Sequence, residues 1–303
     1  MRALLVDHDA PAHLRIGEVP DPVAGPGQAL VEVKAISFNF GDLSHVRDLP
    51  AGTVTGWDAA GVVAVAAADG SGPPAGARVV TFGGAPAWAA LRAVDTAELA
   101  VLPGEVSFAQ AAALPVAGLA ALNGLRRLGP LLDRRIAVTG ASGGVGRFAV
   151  QLGALGGAHV VAVAAGPERA KGLRELGAAE VVASVGEITG QLDGALDNVG
   201  GPALPALWEL LALDGTVVSI GAASGEPSVF PPYSTIGRRR RIEAYIGEVD
   251  RGNGVDLAYL AGLVAQGRLD PQLGWRGGWD RAAEAAEAFF ARRVNGKAVL
   301  DVS

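Results

Sequence analysis

The alternation of hydrophobic and polar positions changes rhythm twice along the chain. Over the first hundred residues apolar side chains come in short runs or alternate with polar ones, as in half-buried strands. Arg2 to Val6, Leu30 to Ile36, Ala60 to Ala66 and Ala77 to Phe82 are such stretches. Connections rich in proline and glycine separate them, notably Pro20 to Gly27 and Asp69 to Pro74. Short strands at this spacing predict a barrel-like β domain. At Ser107 the pattern turns helical. Ser107-Phe-Ala-Gln110 has the spacing of a capping box, an Ala/Leu-rich run follows to Arg127, and Pro115 predicts two helices or a kink there. From Ile136 onward short apolar runs alternate with helical periods. We expect strands at 136–139, 159–164, 179–183, 194–197, 216–220 and 242–246, and helices at 144–155, 167–176 and 203–212. That alternation implies a parallel sheet covered on both faces. Helices near 255–266 and 280–292 precede a last strand, Ala298 to Val302, expected to pair back onto the N-terminal β domain.

The stretch Ile136 to Gln151 organises the rest. A buried strand, Ile136 to Thr139, turns through Gly140, Ser142, Gly143, Gly144, Val145 and Gly146 into a helical run from Phe148 onward. A pyrophosphate needs this arrangement: a tight turn, no Cβ to block backbone approach, and the free N–H groups of a helix N-terminus. Two glycine registers fit. Ala141-x-Gly143-x-x-Gly146 is the dinucleotide fingerprint with alanine first; Thr139-Gly140-x-x-x-Gly144-x-Gly146 is the turn of short-chain dehydrogenases. The second is rejected, because that turn belongs at an N-terminus and no tyrosine here has a lysine four residues on. Dinucleotide binding is the reading, with a ligand-free glycine turn as its alternative.

Composition narrows the function classes. The net charge of −6 argues against nucleic acid as the main partner. The basic run Arg238 to Arg241 stands against that trend, as a solvated edge or an anion site. No cysteine is present, which removes disulfides, thiolate catalysis and thiolate zinc sites together. No apolar run approaches the roughly 20 residues of a membrane span, and the N-terminus meets a charge at Asp7. We therefore expect a cytoplasmic protein with no membrane partner.

The second Rossmann strand ends Val163-Ala164-Ala165-Gly166 without the acidic residue that usually bonds the ribose hydroxyl of NAD. Arg169 follows, with Lys171 just beyond. A missing carboxylate with a nearby guanidinium suits a 2′-phosphate and favours NADPH; the alternative is that Arg169 caps its helix or faces solvent.

Taken with Ser37-Phe-Asn-Phe-Gly-Asp42, Gly56-Trp-Asp-Ala-Ala-Gly61, Ala112-Ala-Leu-Pro115, Leu196-Asp-Asn-Val-Gly-Gly201, Gly215 to Gly221 and Gly296-Lys-Ala-Val-Leu300, the chain resembles the zinc-free, quinone oxidoreductase-like branch of the medium-chain dehydrogenase/reductases. The resemblance implies an α/β protein: a doubly wound parallel Rossmann sheet at 117–268, inserted in a mainly-β, barrel-like (GroES-like) catalytic domain at 1–116 and 269–303. It implies a homodimer joined through the edge strands of the Rossmann sheets. It also implies that Asn39 stands where zinc-dependent relatives carry a cysteine ligand, and Trp57-Asp58 where they carry His-Glu, so that no zinc is held. The chemistry implied is hydride delivery from NADPH to the β-carbon of a small conjugated carbonyl substrate: a quinone, enone or enoyl thioester. Asn39 is then a candidate donor to the developing enolate, or merely a turn residue, and Asp42 would orient it. The tyrosine expected after this pair is missing; His45 could replace it as proton donor or be a loop histidine. Trp57 is either a stacking wall or a core filler. Asn198, Gly200 and Gly221, at the carboxyl ends of Rossmann strands, are assigned to the cofactor by fold-level analogy, and Ser184 stands where the branch carries a tyrosine against the adenosine phosphate. Two other functions remain open: a nucleotide-binding protein without redox activity, and a cyclase or isomerase on the same scaffold.

Overall fold

The structure is a computed structural model that describes residues 1–84, 86–236, 238–245, 247 and 252–303. The chain divides into two units, Met1–Leu119 with Glu248–Ser303, and Ala120–Gly247. In the first, β1 (Arg2–Val6) and β2 (Leu14–Glu18) form an antiparallel pair, followed by β3 (Gln28–Phe38), β4 (Asp58–Val65), β5 (Arg78–Thr81), β6 (Leu91–Asp95) and β7 (Leu99–Val101). The longest, β3, pairs antiparallel with β4 on one edge and with β6 along the first part of its other edge. Its alternating valines fill the interior, where Phe38 lies 4.7 Å from the fully buried Trp88. Side chains of that size contribute roughly 1.5–3 kcal/mol each when removed from water, enough to hold the end of β3 in place.

The helical stretch breaks as expected. Ser107 caps helix Phe108–Ala112 through a capping box with Gln110, and a second helix, Pro115–Arg127, starts at the proline. In the second unit β8 (Arg135–Thr139), β9 (His159–Val163), β10 (Glu180–Val182), β11 (Leu192–Asp197), β12 (Leu211–Ser219) and β13 (Arg241–Ala244) form one parallel sheet. Its order, β10-β9-β8-β11-β12-β13, reads 3-2-1-4-5-6 counted from β8, the dinucleotide-binding order with its switch point beside the first strand. Val161, Leu192, Leu207, Trp208 and Val217 form a core on one face. The helix expected at 167–176 is confined to Pro167–Ala170, because Lys171 leaves helical geometry and Gly172 follows at φ +80°. The strand expected at 242–246 is observed over Arg241–Ala244; Ile246 lies outside the described residues.

The chain then returns to the first unit earlier than residue 269. The buried Glu98 carboxylate accepts hydrogen bonds from Gly252 N–H (2.7 Å) and Asn253 Nδ2 (2.7 Å). Helix Gly254–Ala265 follows, and a Cβ at Gly118 would lie 2.9 Å from its Leu260. Anchored by Glu98, this helix belongs with the β domain, so the expected 117–268 segment is too long at its C-terminal end. β14 (Leu273–Gly278) and β15 (Lys297–Asp301) complete the unit: β15 pairs antiparallel with the second half of β3, as expected, and β14 parallel with β15. Among the described residues no helix is long and apolar enough to cross a membrane.

Candidate functional site

The phosphate turn is closed by its glycines. Gly140 has φ +60°, and a Cβ on Gly146 would come within 2.6 Å of Ala141 Cα, so strand end and helix start pack backbone to backbone. Helix Gly144–Leu155 begins there with Gly143 as its cap; its first N–H groups have no intrahelical partner, and its dipole favours an anion. Ser142 is fully buried, and its Oγ accepts a hydrogen bond of 2.9 Å from Arg169 Nε. The guanidinium expected to face a 2′-phosphate is therefore docked on the phosphate turn itself. Ser184, by contrast, is exposed and donates to Glu187 (3.2 Å).

Asn198, Gly200 and Gly221 gather at the carboxyl ends of β8, β11 and β12. The Asn198 amide donates to Thr139 O (2.8 Å), and its N–H to Thr139 Oγ1 (2.9 Å). Buried Asp197 accepts from the Thr139 hydroxyl (2.6 Å) and from the N–H groups of Val199 and Gly200 (3.1 Å each). A Cβ on Gly221 would lie 3.0 Å from Asn198 O. These residues hold together the carboxyl ends of the strands, the place where a dinucleotide binds in a sheet of this order. The residues present thus fit a dinucleotide. The basic run does not fit an anion. Arg238 pairs with Glu209 and Arg239 with Asp214, while Arg240 donates to Trp208 O and Arg241 to Thr216 Oγ1.

In the first unit the four candidate catalytic residues meet around one short helix, Phe40–His45. Asn39 and Asp42 are buried beneath it, and Trp57 and His45 lie against its Gly41. The Asn39 amide donates to Asp42 Oδ2 (2.9 Å) and Asp58 Oδ2 (2.8 Å) and accepts from Lys297 Nζ at its oxygen. Both amide hydrogens are thereby engaged, so the expected donation to a substrate enolate has no hydrogen left to make it. Asp58, fully buried, is the hub: it also accepts from Ser37 Oγ (2.7 Å), Lys297 Nζ (3.1 Å) and, through Oδ1, Val116 N–H (3.0 Å) in the first turn of helix Pro115–Arg127. Lys297 further donates to Phe38 O (3.1 Å). An ammonium ringed by carboxylate, amide and carbonyl satisfies the conditions under which a buried ion pair holds.

Asp42 is the odd member. Its Oδ2 accepts from the Asn39 N–H (3.0 Å) and amide, while its Oδ1 is buried with no hydrogen-bond partner among the described residues. Burial, reinforced by the charge on Asp58, pushes its carboxyl up to about 8, against the pull of Asn39 and Lys297. The shift favours the neutral form of Asp42 beside the Lys297–Asp58 contact.

Arg92 sets the rim. Wholly buried, it donates to Trp57 O (3.0 Å), Thr81 Oγ1 (2.7 Å) and Gly83 O (3.0 Å). Burial lowers it to about 10, so it keeps its charge at neutral pH. With its backbone fixed in this way, Trp57 stays 38% exposed; Phe40, in the short helix, is 47% exposed. A Cβ at Gly41 would lie 3.0 Å from the Trp57 ring. His45, exposed, places Nδ1 2.8 Å from Gly41 O; that carbonyl only accepts, so the hydrogen is assigned to Nδ1. Trp57 is therefore a surface residue and not a core filler. Sequence reasoning missed Lys297 and Arg92 as site residues, although a lone basic residue inside an apolar strand is the signal that marks each.

Two families match. The "Alcohol dehydrogenase GroES-like domain" covers residues 25–123 and the "Zinc-binding dehydrogenase" residues 144–252. The chain is 30% identical to Quinone-oxidoreductase QR1, chloroplastic, of Triphysaria versicolor over 96% of its own length and 94% of that protein. It is 34% identical to the Spectinabilin polyketide synthase system protein NorB of Streptomyces orinoci, of which it spans only 13%. It is 32% identical to Trans-enoyl reductase tndF of Aspergillus flavipes, over 62% of this chain and 61% of that one. A mycobacterial protein solved in complex with NADPH superposes with a TM-score of 0.88 at 25% identity, covering 99% of each chain. The zinc in the second family's description does not fit here: Asn39 is saturated, and the Lys297 ammonium already bridges Asn39 and Asp58.

Proposed function

The chain belongs to the quinone oxidoreductase-like branch of the medium-chain dehydrogenase/reductases, and from that premise we propose that it is an NADPH-dependent reductase of conjugated carbonyl compounds. The observation that carries the cofactor choice is the Arg169–Ser142 hydrogen bond. It seats a guanidinium beside the phosphate turn. Gly140, Ser142, Gly143, Gly144 and Val145 would hold the pyrophosphate, Arg169 the 2′-phosphate, and Asn198, Gly200 and Gly221 the nicotinamide half. When bound, NADPH supplies the hydride that saturates an activated double bond.

The rest falls to this chain's own side chains. The exposed Trp57 ring, packed on Gly41, offers a flat apolar surface suited to a planar quinone, enone or enoyl group. His45, its Nδ1 hydrogen committed to Gly41 O, holds a transferable proton at Nε2 when the ring is charged. Asn39, Asp42, Asp58 and Lys297 keep the helix that carries His45 in position. The relatives named as a quinone oxidoreductase and a trans-enoyl reductase support both ends of the substrate range.

A homodimer accompanies this reading. Strand β13 pairs only with β12 among the described residues, and its four side chains are exposed, so its free edge can accept a second copy. Light scattering on the eluted protein should give twice the chain mass.

The direct test follows nicotinamide absorbance with NADPH, then NADH, against a quinone, a cyclic enone and an enoyl thioester, with an acceptor-free control. Acceptor-dependent loss of NADPH, with NADH clearly poorer, is the expected result. Binding of NADPH without turnover of any acceptor would sink the reductase reading, and a preference for NADH would sink the role of Arg169.

A further inference from the structure

We propose that Arg147 is the positioning residue for 2′-phosphate recognition: it stitches the loop bearing Arg169 and Lys171 to the phosphate turn. The proposal rests on the NADPH reading above and adds a residue that the reading does not use. Arg147 lies in the first turn of helix Gly144–Leu155 and is buried to 5% exposure. A cation there is disfavoured by the helix dipole and by the loss of water; a compensating function is needed. The guanidinium supplies it by reaching back out of the helix in two directions. Its Nε donates to Ser142 O (3.2 Å) in the phosphate turn, and its Nη2 donates to Lys171 O (2.8 Å) in the loop after β9. Gly172, at φ +80°, brings the loop backbone past it, and a Cβ there would lie 3.6 Å from Arg147 Nη1.

The geometry makes two parallel links between the same pair of loops. Arg147 holds both through their backbones, at Ser142 O and Lys171 O, while Arg169 returns from the second loop to Ser142 Oγ. Helix Pro167–Ala170 is a single turn between Gly166 and Lys171, both outside helical geometry; alone it has little to fix its direction. The planar guanidinium, with its donors in a fixed fork, suits a bridge between two carbonyls that an ammonium could not span. Arg147 also adds positive potential at a helix N-terminus that already favours anions, which raises the gain from placing a phosphate monoester there. It touches no 2′-phosphate itself; its effect is to hold Arg169 and the Lys171 backbone at a fixed distance from the turn.

Calorimetric titration of adenosine 2′,5′-bisphosphate and of ADP separates the possibilities without turnover. Wild-type protein should bind the bisphosphate more tightly than ADP, and if it does not, the NADPH reading fails and this proposal with it. Given that preference, Arg147→Gln should weaken bisphosphate binding by about tenfold, the scale of one charge-assisted contact misplaced, and leave ADP within about twofold. Retained ADP binding shows that the fold is intact. Arg147→Lys should recover little, because a point charge cannot make both links. Equal losses for the two nucleotides, or no loss for either, would overturn the positioning role while leaving the cofactor assignment standing. Should Arg147→Gln not fold, a Gly172→Ala variant that strains the same loop should show the same selective loss, and equal affinities in it would count against the proposal.

Discussion

Replacing Asp42 by asparagine tests the electrostatic account of the buried network. In the native protein the carboxyl rises from 3.8 to about 8, mainly through burial. Between those two values the folded state holds a proton that the unfolded chain has released. Stability from this group is therefore full below the unfolded value, falls by about 1.4 kcal/mol per pH unit, and levels off above pH 8. From pH 5 to pH 8 the penalty grows by about 4 kcal/mol; because Asp42 is 3% exposed, solvent screening removes little of it. Asparagine keeps an oxygen where Oδ2 accepts its two hydrogen bonds from Asn39, and its amide falls where Oδ1 now has no partner. Urea unfolding of nucleotide-free wild type and Asp42→Asn at constant ionic strength should show a gap in favour of the variant that widens steadily with pH. A gap that stays the same at pH 5 and pH 8 would refute the claim that a neutral Asp42 is built into the fold.

Other consequences are as direct. Lys297→Met leaves the Asp58 carboxylate buried without its cation and should cost about 3–5 kcal/mol in the same unfolding assay; adding Asp58→Asn should restore part of it. Gly146→Ala drives a Cβ against the backbone of Ala141, which cannot yield as a side chain would. It should destabilise by about 1–3 kcal/mol and weaken both NADPH and ADP, and unchanged binding would show that the turn is looser than described. Arg169→Gln should raise the KM for NADPH by about tenfold and leave that for NADH nearly unaltered.

The periodicities along the chain were sufficient for the second unit. Each strand expected from Ile136 to Val218 is present, though the one expected at 216–220 already starts at Leu211, because a parallel sheet buried on both faces demands such apolar runs. The glycine turn was equally legible, since only glycine allows the backbone contact between residues 140, 141 and 146. The β domain was read less completely. Leu14–Glu18, Leu91–Asp95 and Leu99–Val101 are short, and Leu273–Gly278 is half glycine, so neither period nor propensity marks them; they are strands because longer neighbours offer them an edge. The end of the inserted unit depended on Glu98 reaching residues 252 and 253, a contact more than 150 positions apart in the chain.

The site shows the same division. The sequence determined which residue types were available: no cysteine, an asparagine and an aspartate three apart, an arginine after the second Rossmann strand. Only the tertiary structure decided how they are used. Strand β15 returns to β3 and delivers Lys297 to Asn39 and Asp58, and that one pairing turns Asn39 from a candidate donor into a saturated link. Hydrogen-bonding capacity is fixed by residue type, but whether it is spent inside the protein or left for a ligand depends on partners that folding brings in from elsewhere in the chain.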